Sequence, residues 1–180
     1  TGPYLHIGHA MGIRALRILQ KLGHEVIVLV GDFTAIAGDP SDGKNRKIMT
    51  EEEINKNMKG WKQQASQLID FEGDNPAKFL RNSEWLSKLN LQDLINLMSK
   101  TTVQQMLERD LFQRKIKELN PIGLQEFIYP LMQGYDSVAM EVDLEIGGND
   151  QIFNMLMGRS LMRVLKNKEK FVRGHELMEA

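Results

Sequence analysis

The chain has 180 residues, 42% hydrophobic and 26% charged, enough to bury one core as a single domain or a domain carrying an insertion. Lysine and arginine number 23 against 24 aspartates and glutamates, so a net charge of -1 gives no global field for a nucleic acid, and any RNA contact has to be local. The absence of cysteine excludes disulfides and thiolate metal sites, and with no leader-like amino end and no run near about 18 apolar residues, the expectation is a cytoplasmic protein without membrane insertion.

The chain opens at Thr1-Gly2-Pro3 without a methionine and reads as a piece of a longer protein, because a strand is expected ahead of a phosphate-binding turn. His6-Ile7-Gly8-His9 then stands at the mouth of a predicted helix over 7–22, whose apolar positions Met11, Ile13, Leu16, Ile18, Leu19 and Leu22 recur at near-helical spacing before Gly23. Imidazoles at a helix start, with a glycine between them, suit holding a polyphosphate, and they also suit ordinary capping. Val26-Ile27-Val28-Leu29-Val30 is a β-branched run of the kind buried on both faces in a parallel sheet. Helix followed by buried strand is the second half of a βαβ unit, which makes the fold class α/β. The glycine-rich segment from Gly31 to Lys47 is expected as a loop at the carboxyl end of that strand. Within it Asp39, in Gly38-Asp39-Pro40, is either a ligand contact or an Asx turn.

A Thr50-x-x-Glu53 capping box opens a long predicted helix reaching Phe71. After Gly73-Asp74-Asn75-Pro76 the middle of the chain is expected to be helical, over 91–98, 102–105 and 108–119, with Met98, Met106, Leu107 and Phe112 in the core or at a subunit contact. Another helix is expected over 124–140. On it Tyr129, Gln133 and Asp136 share a stripe beside an apolar face, either lining a pocket for a polar aromatic ligand or facing solvent. A short strand over 142–146, the turn Gly147-Gly148-Asn149-Asp150-Gln151 and a helix over 151–165 form a second nucleotide-type crossover. The basic tail, including Arg163, Lys166, Lys168, Lys170 and Arg173, reads as a solvated face that could touch an RNA backbone.

Four blocks in order resemble the catalytic domain of bacterial tyrosyl-tRNA synthetases, class I aminoacyl-tRNA synthetases, over nearly the whole chain. They are Leu5-His6-Ile7-Gly8-His9; Leu29-Val30-Gly31 through Gly38-Asp39-Pro40-Ser41; Tyr129 to Asp136; and Ile146-Gly147-Gly148-Asn149-Asp150-Gln151. The resemblance implies a Rossmann-like doubly wound parallel sheet, with its first strand missing from residues 1–44, a helical connecting region over 45–123, the second half of the catalytic domain over 124–180, and no anticodon-binding domain in this chain. It implies activation of tyrosine with ATP and Mg2+ to tyrosyl-adenylate and transfer to tRNA(Tyr), in a homodimer, without a tightly bound protein metal. Thr1, His6 and His9 would serve catalysis; His6, Gly8, His9, Gly148, Asp150 and Gln151 the nucleotide; Asp39, Tyr129, Gln133, Asp136 and Gln151 the tyrosine. The strand ahead of the first motif and a KMSKS-type lysine loop are missing, so this piece alone is expected to be inactive or weak. The rivals are a tryptophanyl-tRNA synthetase, a small-molecule HxGH nucleotidylyltransferase and a synthetase-like RNA-binding protein.

Overall fold

A computed structural model describes residues 3–37 and 50–176. Helix α1 (Ile7–Lys21) leads into strand β1 (Ile27–Val30), and α2 (Asp32–Ala37) follows at once. Next come α3 (Glu51–Met58), α4 (Trp61–Ala65), β2 (Lys78–Arg81), α5 (Ser83–Leu86), α6 (Leu91–Met98), α7 (Val103–Leu107) and α8 (Asp110–Lys117). The chain continues through α9 (Leu124–Met140), β3 (Leu144–Gly148), a single 3-10 turn over Asn149–Gln151, α10 (Ile152–Lys166) and β4 (Phe171–His175). β1 pairs in parallel with β2, and β3 in parallel with β4, so the α/β class holds, with two short strand pairs among the described residues.

The local signals at element ends act where they stand in the sequence. The Thr50 hydroxyl accepts from the Glu53 amide while the Glu53 carboxylate accepts from the Thr50 amide, closing the expected capping box. Gly23 takes φ 87°, the left-handed value that a residue beyond a helix end needs. Several expectations are corrected. The loop after β1 is helical from Asp32, because Asp32 Oδ1 accepts from the Phe33 amide and Ala35 bonds back to Gly31. The long helix from Thr50 is broken between α3 and α4 at Gly60, a poor helix former. The middle region expected to be helical contains β2. The basic tail contains β4 and buries Lys170 completely.

β2 reaches its place because Gln20 of α1, itself buried, clamps the loop before it. The Gln20 Nε2 donates to the carbonyls of Asp70 and Asn75, and its Oε1 accepts from the Asp70 amide. β1 was expected to be buried on both sides, yet Ile27, Val28 and Leu29 are half-buried. Register explains this. The Lys78 amide bonds to Val26 and the Asn82 amide to Val30, so the backbone groups of Ile27 and Leu29 point away from β2. On β3, the Phe171 bond to Asp143 likewise leaves Leu144 and Ile146 pointing away from β4. Both outward edges line the same crevice.

The larger core joins α6, α7, α8, α9 and α10 around Leu97, Met106, Phe112, Leu131, Leu161 and Met162. Met106 and Phe112 are therefore core residues, whereas Met98 is exposed. α9 and α10 approach closely through glycines: a Cβ on Gly134 would lie 3.1 Å from the Gly158 amide nitrogen. A second cluster packs α1 against Val26, Ala65, Ile69 and Ala77, and a third packs Val30 on Ile54 and Met58.

Candidate functional site

The sequence-selected residues meet in one crevice of about 1920 Å3 between the two strand pairs. His6, Gly8, His9, Tyr129, Gln133, Asp136, Gly148, Asp150 and Gln151 all line it. Thr1 and Asp39 lie outside the described residues.

The opening tetrapeptide builds its own cap. Nδ1 of His6 accepts from the Gly8 amide at 3.2 Å, Nδ1 of His9 accepts from the His6 amide at 3.2 Å, and the ring centroids stand 3.9 Å apart. This is a capping box in which imidazoles replace the usual hydroxyl and carboxylate. Burial, followed by the neighbouring charge of His6, holds the His9 ring below its ordinary value. Gly8 leaves room for this cap, because a Cβ there would stand 3.0 Å from Cε1 of the His6 ring and the ring would have to shift. Across from α1, His175 at the end of β4 adds an imidazole that the sequence reading missed: its Nε2 lies 3.7 Å from where a Cβ on Gly12 would stand.

Asp136 is the most constrained member of the stripe. It is 4% exposed, its Oδ1 accepts from the Trp85 indole at 2.7 Å, and its Oδ2 accepts from the Asn82 amide nitrogen at 3.2 Å. Burial pushes its carboxyl up to about 7, with the charges of Glu145 and Asp32 adding to the rise and the two donors opposing it. Asn82 is fully buried. It also donates to Thr34 Oγ1 and accepts from the Phe33 amide, tying the start of α2 to the site. Beside it, Asp32 accepts from Arg81, from the Ser83 hydroxyl and from the Ser83 amide. Burial opposes its ionisation, but the Ser83 and Arg81 hydrogen bonds hold Asp32 below the ordinary carboxyl range.

Gln133 and Gln151 are joined through Asn154, whose Nδ2 donates to both carbonyl oxygens, at 2.8 and 3.0 Å. Gln151 in turn donates to Asp150 Oδ2 at 2.7 Å. Below Asp136, Lys170 donates to Ser137 Oγ at 2.7 Å and to the Met155 carbonyl at 3.1 Å, and it pairs with Glu145. Burial lowers the Lys170 ammonium, with the Glu145 charge acting against that shift.

Trp85, Asn82, Asn154 and Lys170 were not selected from sequence. The short Phe79-Leu80 run ahead of Asn82-Ser83 was the available strand signal for the first two. Lys170 carries no local mark, since nothing in the sequence around it says that it faces inward.

Comparison with known proteins decides the family. The family model for class I tRNA synthetases (W and Y) matches residues 1–180. The chain belongs to this family. It is 49% identical over 166 residues to the tyrosine–tRNA ligase of Carboxydothermus hydrogenoformans, covering 91% of this chain and 39% of that protein. It is 44% identical over 180 residues to that of Geobacter metallireducens, covering 99% and 44%. The chain thus spans about two fifths of the length of these relatives. In fold it is similar to a C-terminally truncated mitochondrial tyrosyl-tRNA synthetase of Aspergillus nidulans, with TM-score 0.83, 23% identity, and 93% of this chain and 51% of that one covered. It is also similar to the Archaeoglobus fulgidus tyrosyl-tRNA synthetase complexed with L-tyrosine, with TM-score 0.69, 26% identity and coverage of 98% and 53%.

Proposed function

We propose that this synthetase chain carries the site that activates tyrosine: the tyrosine carboxylate attacks the α-phosphorus of ATP, pyrophosphate leaves, and the tyrosyl group passes from the adenylate to tRNA(Tyr). The observation that carries this reading is Asp136, a buried carboxylate at the crevice wall with both oxygens held by donors. A carboxylate fixed in this way suits a phenol hydroxyl. A site built around that contact rejects phenylalanine, because the buried acceptor would be left unpaired.

In this reading His6, His9 and Thr1 hydrogen-bond the phosphates of Mg-ATP as charge develops there, and the magnesium of that substrate would offset charge on the pyrophosphate. Gly8, Gly148, Asp150 and Gln151 take the nucleotide. Asp39, Tyr129, Gln133 and Gln151 take the amino and carboxylate ends of tyrosine. Displacement at phosphorus needs positioning and charge stabilisation, and no protein nucleophile.

The finer fold belongs to the same proposal. The two strand pairs are halves of one Rossmann-like doubly wound sheet, and the edges of β1 and β3 along one crevice, which have no strand partner among the described residues, support one further strand between them. Residues 1–44 and 124–180 form the catalytic halves. Residues 45–123 form the connecting region, which also lends β2 to the sheet. A homodimer is supported by the exposed α6 stripe Leu91, Ile95 and Met98, where the first two are 72% and 58% exposed. Among the described residues no helix is long and apolar enough to cross a membrane. We place the protein in the cytoplasm, where tRNA charging occurs.

The test is ATP–pyrophosphate exchange by the full-length protein with tyrosine, phenylalanine or tryptophan. Exchange with tyrosine alone is expected. Exchange with tryptophan in its place would overturn the reading.

A further inference from the structure

The side chain of Lys170, the residue before β4, is fully buried, and all three hydrogens of its ammonium are spent. They go to Ser137 Oγ at 2.7 Å, to the Met155 carbonyl at 3.1 Å and to the Glu145 carboxylate. The Ser137 hydroxyl donates to the same Glu145 oxygen at 3.0 Å. A glycine on α10 makes room for the amine, since a Cβ on Gly158 would lie 2.7 Å from Lys170 Nζ. Apolar side chains of similar volume often stabilise a core as well as a buried ion pair does, or better. Packing alone therefore does not explain this pair.

Its surroundings point to the ligand site. Glu145 lines the crevice together with Asp136, and Asp136 is the residue before Ser137 on α9. The charges that face Asp136 from the elements packed on α9 come as ion pairs, Asp32 of α2 with Arg81 of β2 and Glu145 of β3 with Lys170. Arg159 of α10 adds a positive charge toward Lys170. Asp136 itself is held by two neutral donors, the Trp85 indole and the Asn82 amide, with no cation bonded to it among the described residues. Of these three carboxylates it is the one whose charge is left for a ligand. Burial is the main cause of the raised Asp136 carboxyl, and the Glu145 charge adds to it. Burial also lowers the Lys170 ammonium, against which the charges of Glu145 and, more weakly, Asp136 act.

We propose that Lys170 is a positioning residue that, by neutralising Glu145, reserves the charge of Asp136 for the phenol hydroxyl of the bound amino acid. The inference rests on the tyrosine-activation reading and deepens it. Without the lysine, two unscreened carboxylates would share one crevice wall, and Asp136 would hold its proton to higher pH.

The test follows Asp136 in two ways on the full-length protein between about pH 5.5 and 8.5. Without ligand, NMR of the Trp85 indole N–H, identified by its loss in Trp85→Phe, reports the ionisation of the carboxylate it bonds to. With ligand, calorimetric titration gives tyrosine affinity at each pH. Lys170→Met is expected to raise both midpoints by about one pH unit, the effect of one unit charge roughly 10 Å away at an effective dielectric of about 20. Tyrosine then weakens about fivefold near pH 7 and returns to within about twofold at pH 8.5. Glu145→Gln leaves the lysine charge unopposed and is expected to lower both midpoints, so that tyrosine tightens about fivefold near pH 6. Lys170→Met with Glu145→Leu should bring both midpoints back toward wild type.

A loss of packing cannot move the two single variants in opposite directions. Equal weakening at every pH, or an indole midpoint unmoved in Glu145→Gln, overturns the proposal, and the second result decides even if Lys170→Met fails to fold. An indole midpoint that moves while tyrosine affinity does not follow it also overturns the proposal. Wild-type protein that binds no tyrosine overturns the tyrosine reading itself, a result distinct from the others.

Discussion

Asp136→Asn tests the centre of the site with an isosteric change. In the folded protein the Asp136 carboxyl is pushed up to about 7 from 3.8, so the folded state binds this proton more tightly than the unfolded chain does. The sign follows from that. The contribution of this group is most favourable below the unfolded value, is lost progressively as pH rises from near 3.8 to about 7, and is flat above that. The separation corresponds to about 4 kcal/mol of stability difference between the two limits. Chemical denaturation of wild type and Asp136→Asn at pH 4 and pH 8 should show this difference shrinking in the variant. Under the proposed function, tyrosine binding runs the other way, because a phenol that donates its hydrogen needs the ionised carboxylate. Wild-type affinity for tyrosine should therefore rise as pH passes through about 7, and the variant should show no such rise. The preference for tyrosine over phenylalanine should fall about 10- to 100-fold, the size of a hydrogen bond to a charged group. A variant that keeps both the wild-type pH dependence of stability and its preference for tyrosine would refute this account of Asp136.

Trp85→Phe removes the indole donor at 2.7 Å from Asp136, so the pH midpoint of tyrosine binding should move above about 7 and affinity should drop about tenfold in a calorimetric titration. Lys170→Met leaves the Glu145 carboxylate beside a buried site without its cation and should cost about 3–5 kcal/mol in chemical denaturation. Adding Glu145→Leu should restore most of that loss, and a double variant no better than the single one would refute the pairing. Gly158→Ala places a Cβ 2.7 Å from Lys170 Nζ and 2.8 Å from Ser137 Oγ. It should destabilise by about 1–3 kcal/mol, read as a lower denaturation midpoint.

Much of the architecture was legible because it is encoded by local patterns. α9 spans Leu124–Met140, the range that its apolar periodicity predicts, and the capping residues His6 and Thr50 stand where their helices begin. The crevice residues were legible because their spacing matches a known family in four blocks. What stayed hidden depends on long-range pairing. β2 is only four residues long and half-buried, so its sequence carries neither strict alternation nor a continuous apolar run. Asn82 and Trp85 then follow it into the site unannounced. Lys170 reads as one more cation in a basic tail, and it is buried only because β4 adds to β3 and turns that position onto α9 and α10.

The placement of the Tyr129, Gln133 and Asp136 stripe follows from polar contacts as much as from apolar ones. Asp136 and Ser137 are consecutive on α9 and both are buried, and successive helical residues point about 100° apart. Asp136 is held by Asn82 and Trp85, which follow β2, while Ser137 is held by Lys170 and Glu145 from the other strand pair. A rotation of α9 by one residue would break both networks at once and strand a buried charge on each side, at a cost larger than that of repacking leucines. The apolar face of α9 leaves some freedom of rotation, because its core partners on α8 and α10 could accept neighbouring methyl groups. The two networks remove that freedom, and in doing so they fix the direction in which Tyr129 and Gln133 face the crevice.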